Sequence, residues 1–361
     1  MTALTSVVTL TPLLGFPEVR RGDDLVKLVL KALQDNRIEL DDGDILVVSS
    51  KVASKAMGLS APLAERDDVV AAQTVRVVAE RITPLGITSI VETVAGPVMA
   101  AAGVDASNTA DDSIVLVLPD DPDAVAAEIR VGVRTEWEAR SGNHLRLGVV
   151  LSDTAGRPWR IGQTDFALGA AGIQVVDDLR GSTDADGRLL WVTERCVADE
   201  IAAAADLVKG KAAGVPVAHI RGLGQYVHDG ESTSDAKSSS ARDLVRTGPG
   251  DWFSLGQAEA VRASLGVAPG SAEAAAVGIP SMNAETVAAK ASRALRVALL
   301  ACPDASGQVD GGTIRLTAPD DFTLGVAVTR AEVALRGEGL TGTLSTDFGL
   351  TGNPTALIVF Q

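Results

Sequence analysis

Short apolar runs closed by glycine, proline or polar clusters make up much of this chain, and the run ending at residue 151 constrains it most. Leu147, Val149, Val150 and Leu151 read as a buried strand that stops at Ser152, Asp153 and Thr154. A polar loop is expected beyond it as far as Asp165. It carries Arg157, Trp159, Arg160 and Gln163, and Gly156, Pro158 and Gly162 break any regular element. The loop after a strand end is where α/β-type proteins commonly place chemistry. Asp153 and Thr154 offer hard oxygen ligands, while Arg157 and Arg160 offer forked cationic donors. That pairing suits a metal-bound polyphosphate or carboxyl-phosphate better than an apolar ligand.

The same punctuation recurs along the chain. Val7 to Leu14 reads as a strand closed by Gly15, Phe16 and Pro17. Gly22, Asp23 and Asp24 then cap a helix whose Leu25, Leu28, Val29, Ala32 and Leu33 share a face. Asp42, Gly43 and Asp44 turn the chain into a strand, Ile45 to Val48, that runs out at Ser49, Ser50 and Lys51, with Ser54 and Lys55 one turn later. The pattern predicts a helix over 67–81, strands over 87–94 and 114–118, and a helix from Pro122 through Arg130, with 131–144 poorly determined. A further helix spans 197–208, where Val197, Ile201, Ala204 and Val208 share a face, and a strand runs from Val217 to Ile220. Glu231 to Ala241, rich in Ser, Thr and Asp, reads as a flexible loop. After Gly266 the texture becomes Ala-rich: helices over 284–300 and 323–336, and strands over 313–317 and 356–360.

Length and composition exclude several classes. With 361 residues and 46% hydrophobic content, two domains with substantial cores are expected. A formal charge of −15 and the lack of any basic stripe exclude nucleic acid as a partner. Cys196 and Cys302 show no metal-type spacing and read as inert thiols in a reduced cytoplasmic setting. The first residues lack a basic leader, and no apolar stretch reaches the roughly 18 residues that a membrane span needs, so neither secretion nor membrane insertion is expected.

The motifs taken singly are ambiguous. Walker A is absent, and Gly222 with Gly224 lacks the third glycine of a dinucleotide fingerprint. A triphosphate would have to be held by scattered loops: Gly15 to Pro17, Ser50 with Lys55, and Asn108. Each of these is also an ordinary turn or cap. Asp105 and Asp153 could hold one or two magnesium-sized ions with Thr154 against phosphate oxygens, or be turn residues, as Asp often is. Asp199 and Glu200 open a helix where acids complement the dipole, and Lys209 and Lys211 do the same at its other end. Three histidines without ligand spacing argue against zinc, and no nucleophile elbow supports Ser-His-Asp catalysis.

Their order along the chain is more specific. Gly15 to Asp24 (Gly-Phe-Pro-Glu-Val-x-x-Gly-Asp-Asp), Asp42 to Lys55 (ending Ser-Lys-Val-x-Ser-Lys), Ala101 to Asn108, Ser152 to Asp165 and Val197 to Lys211 follow one another, with Pro216, Arg221 and Gly222 behind. This set strongly resembles the coenzyme F-420-0:L-glutamate ligase (γ-glutamyl ligase) family, of the two-domain actinobacterial type, over roughly residues 7–260. The resemblance implies an α+β (mixed α/β) ligase domain over 1–265 and a small C-terminal α/β domain over 266–361. It also implies joining of L-glutamate to coenzyme F-420-0 and γ-linked extension of the tail, with GTP as substrate, magnesium or manganese as the divalent cation, potassium as a further ion, and a homodimer. Phe16, Pro17, Glu18, Val19, Ser50, Lys55, Asn108 and the segment Lys209, Gly210 and Lys211 would contact GTP. Asp105 and Asp153 would hold one metal and Thr154 a second. Arg157, Arg160 and Lys55 are the expected catalytic cations, acting on the transferring phosphoryl group or on substrate carboxylates.

Three departures from the family pattern stand out. Met57 stands where relatives usually carry an acid. Lys211 stands where archaeal members present a carboxylate to the second metal, and a protonated lysine cannot coordinate. Only about 95 residues follow Gly266, a reduced remnant of a longer nitroreductase-like domain without the Arg-rich entry segment that FMN phosphate would need, so FMN is not expected. The alternatives to a ligase are a non-catalytic deazaflavin-binding protein and a flavin- or deazaflavin-dependent oxidoreductase acting through the C-terminal domain.

Overall fold

The structure is a computed structural model that describes residues 7–84, 86–107, 109, 111–229, 240–345 and 353–361. Two of the sequence expectations, Asn108 and most of the loop over 231–241, fall outside the described residues. The chain divides into two compact units. One comprises the residues up to Val75 with Glu92–Arg246, the other Arg76–Val91 with Thr247–Gln361. Helices and strands mix without a repeating βαβ order, giving the α+β class.

In chain order the elements begin with β1 (Thr9–Pro12), α1 (Leu25–Asp35), β2 (Asp44–Ser49) and α2 (Ser50–Met57). Next come β3 (Ser60–Pro62), α3 (Arg66–Ala72), β4 (Thr74–Thr83), β5 (Gly86–Thr93), β6 (Val98–Ala100) and β7 (Ile114–Leu116). They are followed by α4 (Pro122–Ser141), β8 (Leu147–Arg157), β9 (Arg160–Ala171), β10 (Val176–Asp178), β11 (Glu194–Cys196), α5 (Val197–Lys209) and β12 (Val217–Arg221). The last are α6 (Gln257–Ser264), α7 (Ala272–Val277), α8 (Val287–Leu299), β13 (Ser306–Asp310), β14 (Thr313–Thr317), α9 (Asp321–Gly337), β15 (Gly342–Ser345) and β16 (Thr355–Phe360). Among the described residues no helix is long and apolar enough to cross a membrane.

The first unit is organised by a five-stranded sheet in the order β1-β12-β2-β8-β9. β2 and β8 pair in parallel and the other neighbours are antiparallel, so β1, β2 and β8 all run the same way. Both faces are covered. Leu46, Val48, Leu147, Val149 and Leu151 pack into one core with Val29, Leu33, Ile129 and Val133 of α1 and α4. Ile45, Val47, Val150, Ala218 and Ile220 pack on the other side with Val197, Ile201 and Ala205 of α5. A strand buried on two faces has no polar alternation, which is why Ile45 to Val48 reads as an unbroken apolar run. α1 starts where Asp24 accepts the Lys27 backbone N–H at 3.1 Å. The N-terminus of α4 lies so close to β9 that a Cβ at Gly169 would come within 2.2 Å of the Pro122 carbonyl oxygen, so only glycine fits there.

Two expectations are corrected, and a stretch left undetermined is settled. The helix expected over 67–81 stops at Ala72, with the Gln73 N–H bonded to the Val69 carbonyl at 3.0 Å, and β4 begins at Thr74. Thr74, Val75, Val77 and Val78 are β-branched, and hairpin pairing with β5 outweighs the weak helical period. The strand expected to stop at Ser152 instead continues to Arg157 and returns from Arg160, so the polar loop of the sequence reading is the far half of a long hairpin. Its turn uses Trp159 at φ 58°, a left-handed position where glycine or asparagine is the usual signal. Finally, α4 extends through Ser141, well beyond Arg130.

At the end of β2 opposite the site described below, Asp44 is fully buried. It accepts from His219 Nε2 at 2.7 Å and from Arg221 Nε and Nη2 at 2.9 and 2.7 Å. Removing the carboxylate strands a buried imidazole. With the Arg221 guanidinium partly exposed and still bonded to the Glu39 carbonyl, Asp44→Ala is expected to lower the unfolding free energy by about 1–3 kcal/mol, the cost of leaving the buried imidazole unpaired. The denaturant midpoint reads this directly; an unchanged midpoint would mean the cluster relaxes into water.

In the second unit a four-stranded antiparallel sheet, β13-β14-β16-β15, packs Ile314, Leu316 and Ile358 against Ala294, Ala298, Ala327 and Ala331 of α8 and α9. The small alanines let the helices approach closely. Buried Glu338 accepts from Arg262 at 2.6 Å and from Arg293 Nε at 3.0 Å, and Arg293 also holds Glu285 at 2.7 Å.

Candidate active site

Because β1, β2 and β8 run the same way, their C-terminal ends open on one edge of the sheet, a usual place for ligands in open sheets. Phe16 to Val19 follow β1, Ser49 ends β2 with Lys51 to Lys55 just beyond it, and Ser152 to Thr154 lie where β8 leaves the core. The Lys209 to Pro216 segment returns to this edge before β12. Together they line a cavity of about 350 Å³. One part of the wall is apolar, from Phe16, Pro17, Val19, Val52, Val215 and Pro216. The other is ionic, from Lys51, Lys55, Lys209 and Lys211 with Glu18, Asp153, Asp165 and Asp206.

A register shift between Leu151 and Ser152 marks where β8 changes from core strand to cavity wall. Alternation then sends Ser152 and Thr154 to one face and Asp153 to the other. On the first face they meet Asp165, the cross-strand partner of Thr154. Asp165 Oδ2 accepts from Ser152 Oγ at 2.9 Å and from Lys209 Nζ at 2.8 Å, and its Oδ1 accepts from Thr154 Oγ1 at 2.7 Å. Lys209 also donates to Ser152 Oγ at 2.7 Å, and both ions of the pair are buried. Burial alone would raise the Asp165 carboxyl; Lys209 and the two hydroxyls more than offset it and hold it below the usual range. The Thr154 hydroxyl spends its proton on Asp165, which leaves its lone pairs for a cation. Lys211 Nζ stands 3.4 Å from that oxygen.

On the second face, Ser50 Oγ donates to Asp153 Oδ1 at 3.2 Å from the first turn of α2. Burial pushes the Asp153 carboxyl up to about 6, against the pull of the nearby Lys51 ammonium and the Thr154 N–H. Lys51 is also ion-paired with Asp105, so one ammonium connects the two aspartates. Asp105 is presented by a left-handed run, Ala101 at φ 48°, Ala102 at 53° and Gly103 at 72°, strain of the kind that collects at functional sites. It is tied to β7 by the reciprocal Asp105–Leu116 backbone bonds of 3.2 and 2.8 Å.

The expected site residues fall into three groups. Phe16, Pro17, Glu18, Val19, Lys55, Lys209, Gly210, Lys211, Asp153 and Thr154 line the one cavity. Ser50 sits buried behind Asp153, and Asp105 is reached through Lys51. Arg157 and Arg160 lie at the exposed end of the β8–β9 hairpin and do not line the cavity. Among the described lining residues every cation is a lysine. Lys51, Thr109, Asp165 and Asp206 line the cavity as well, without a role foreseen for them. A signal for Lys51 was present, since it and Lys55 stand four apart and share a helix face. Asp165 could be found only from the hairpin register.

Among the described residues no cluster of three or more His, Cys, Asp or Glu side chains could hold a metal. The donors here are two aspartates and a threonine hydroxyl. Such a set does not form a closed cage, but it suits an ion that keeps waters and shares phosphate oxygens, as magnesium does. The residues therefore fit a cation delivered with a phosphate ligand.

The family model described as F420-0:Gamma-glutamyl ligase matches residues 14–222, the stretch that contains every wall of this cavity. The chain belongs to this family. It is 38% identical over 237 residues to the coenzyme F420:L-glutamate ligase of Halobacterium salinarum, covering 60% of this chain and 87% of that protein. The enzyme of the same name from Halorubrum lacusprofundi is 35% identical over 259 residues, 66% of this chain and 96% of the relative. That from Methanothermobacter thermautotrophicus is 40% identical over 224 residues, 58% and 86%. The family match ends before Thr247, where the main segment of the second unit begins.

Proposed function

We propose that this ligase joins L-glutamate to coenzyme F-420-0, and extends the tail through γ-linkages, by spending GTP at the cavity edge of the sheet. The observation that carries this is the cavity itself, an apolar wall facing four lysines beside Asp153 and Thr154. An apolar ring with an anionic tail matches both halves of it, and the family relatives carry the name of the reaction.

The chemistry begins with a poor electrophile. A carboxylate oxygen of the acceptor attacks the γ-phosphorus of GTP, the bond to the β-phosphate oxygen breaks, and GDP leaves. The glutamate amine then attacks the acyl carbon, inorganic phosphate departs and the amine loses a proton, leaving an amide. Phe16, Pro17 and Val19 would pack on the nucleotide base, and Lys51, Lys55 and Lys211 would face its phosphates. Asp105, Asp153 and Thr154 would hold magnesium or manganese, which supplies charge neutralisation at the phosphoryl oxygens when bound. The Lys211 ammonium would serve beside the Thr154 hydroxyl as a further cation at the phosphates. With Arg157 and Arg160 outside the cavity wall, the catalytic cation role passes to these lysines.

Incubation of the purified chain with F-420-0, glutamate, GTP and manganese should give products heavier by one or more glutamyl residues in mass spectrometry, with matching GDP release. GTP consumption without glutamate addition, or no product with any nucleotide, would overturn this reading.

A further inference from the structure

The four cavity lysines are not equivalent. Lys55 is paired with Glu18, and Lys209 is locked to Asp165 and Ser152. Lys51 instead occupies a carboxylate to which the reading above gives another task. Asp105 Oδ1 accepts the Ser107 backbone N–H at 2.7 Å, while Oδ2 accepts the Lys51 ammonium and the Ser107 hydroxyl, the latter at 2.8 Å. Lys51 Nζ also donates to Ser107 Oγ at 2.9 Å. Both carboxylate oxygens are thus engaged, and the one facing Lys51 is shared by two donors. Lys51 lies in the first turn of α2, the end of a helix that disfavours a cation, so helix stability does not explain its position. It also lines the cavity where phosphates are proposed to lie, on the same α2 face as Lys55.

We propose that Lys51 and the divalent cation compete for Asp105, and that nucleotide phosphates receive the displaced ammonium, so that metal and nucleotide bind cooperatively through this side chain. A dication and an ammonium repel one another, and with Lys51 and the Ser107 hydroxyl both donating to Oδ2 that oxygen has no lone pair left for a metal. When the anionic phosphates are present, the ammonium has a second place to go within reach of the same flexible stem, and the carboxylate is released. Linkage then requires that nucleotide tighten metal binding and metal tighten nucleotide binding by the same factor. The inference rests on the metal and GTP reading above and adds a function for Lys51 within it.

The test is a manganese titration of the metal-free full chain, with free manganese followed by electron paramagnetic resonance, with and without GTP. Lys51→Met is expected to bind manganese about tenfold more tightly than wild type without GTP, and to lose a similar factor from the tightening that GTP brings. Lys51→Arg, which keeps the charge, should behave like wild type. Lys51→Gln, neutral but polar, should reproduce the Met result and serves if the Met variant does not fold. Unchanged or weaker manganese binding in the neutral variants, alongside normal binding in wild type, would overturn the competition while leaving the metal reading intact. No manganese binding by wild type, with or without GTP, would remove the metal reading and this inference together.

Discussion

Asp153→Asn is expected to reduce ligation by at least about 10²–10³-fold, the scale for loss of a charge that stabilises a transferring group, and at the same time to stabilise the metal-free fold above pH 6. The carboxyl is raised from 3.8 to about 6 because burial penalises its charged form more than Lys51 and the Thr154 N–H support it. Between those two values the folded chain holds more protons than the unfolded one. Stability therefore falls as pH rises through this window. Below pH 4 both states carry the neutral acid and asparagine gains nothing. Above pH 6 the wild type bears a buried charge and the asparagine variant does not, a difference of up to about 3 kcal/mol at roughly 1.4 kcal/mol per pH unit. Thermal melts of both proteins in chelator from pH 4 to 8 would show the curves diverging upward through this range. A constant offset, or a variant less stable at pH 8, would show that Asp153 is better solvated than its surroundings imply.

The same residue shows how far a sequence carries. Asp153 and Thr154 could be singled out because they end an apolar run, and β2, α1, α5 and β12 could be placed for the same reason. Each is an apolar segment with a polar stop, which a sheet covered on both faces demands. What followed Thr154 could not be read. The hairpin turns on Pro158 and Trp159 without an Asn-Gly or Asp-Gly signal, so glycines and a proline along its strands look like a loop. That misreading hid the pairing of Thr154 with Asp165, and strand extension carries Arg157 and Arg160 to an exposed tip off the cavity lining. The meeting of Asp105 with Lys51 has no local signal at all, because it depends on where the strained 101–103 turn delivers the chain. Motif order indicated which residues belong together; only register and loop path show which of them touch.

Lys209→Met is expected to cost about 3–5 kcal/mol of stability, the usual result of removing one partner from a buried ion pair. Lys209 and Asp165 are both buried, and the Lys209 ammonium also holds Ser152, so the variant leaves Asp165 charged beneath a methionine stem. Asp165→Asn in the same chain removes that uncompensated charge. Its amide oxygen can still accept from Thr154 or Ser152, so the double variant should recover most of the loss, a coupling that denaturant midpoints of the four proteins would measure. Independent, additive losses would mean that the two side chains do not stabilise each other. The double variant also separates scaffold from chemistry. Lys209 spends two donors on Ser152 and Asp165 and has a third to offer the cavity that it lines. If Lys209 serves only to neutralise Asp165, a refolded double variant keeps its KM for GTP. If that third donor reaches a phosphate, stability returns while KM rises, and Lys209 belongs to the binding machinery as well as to the fold.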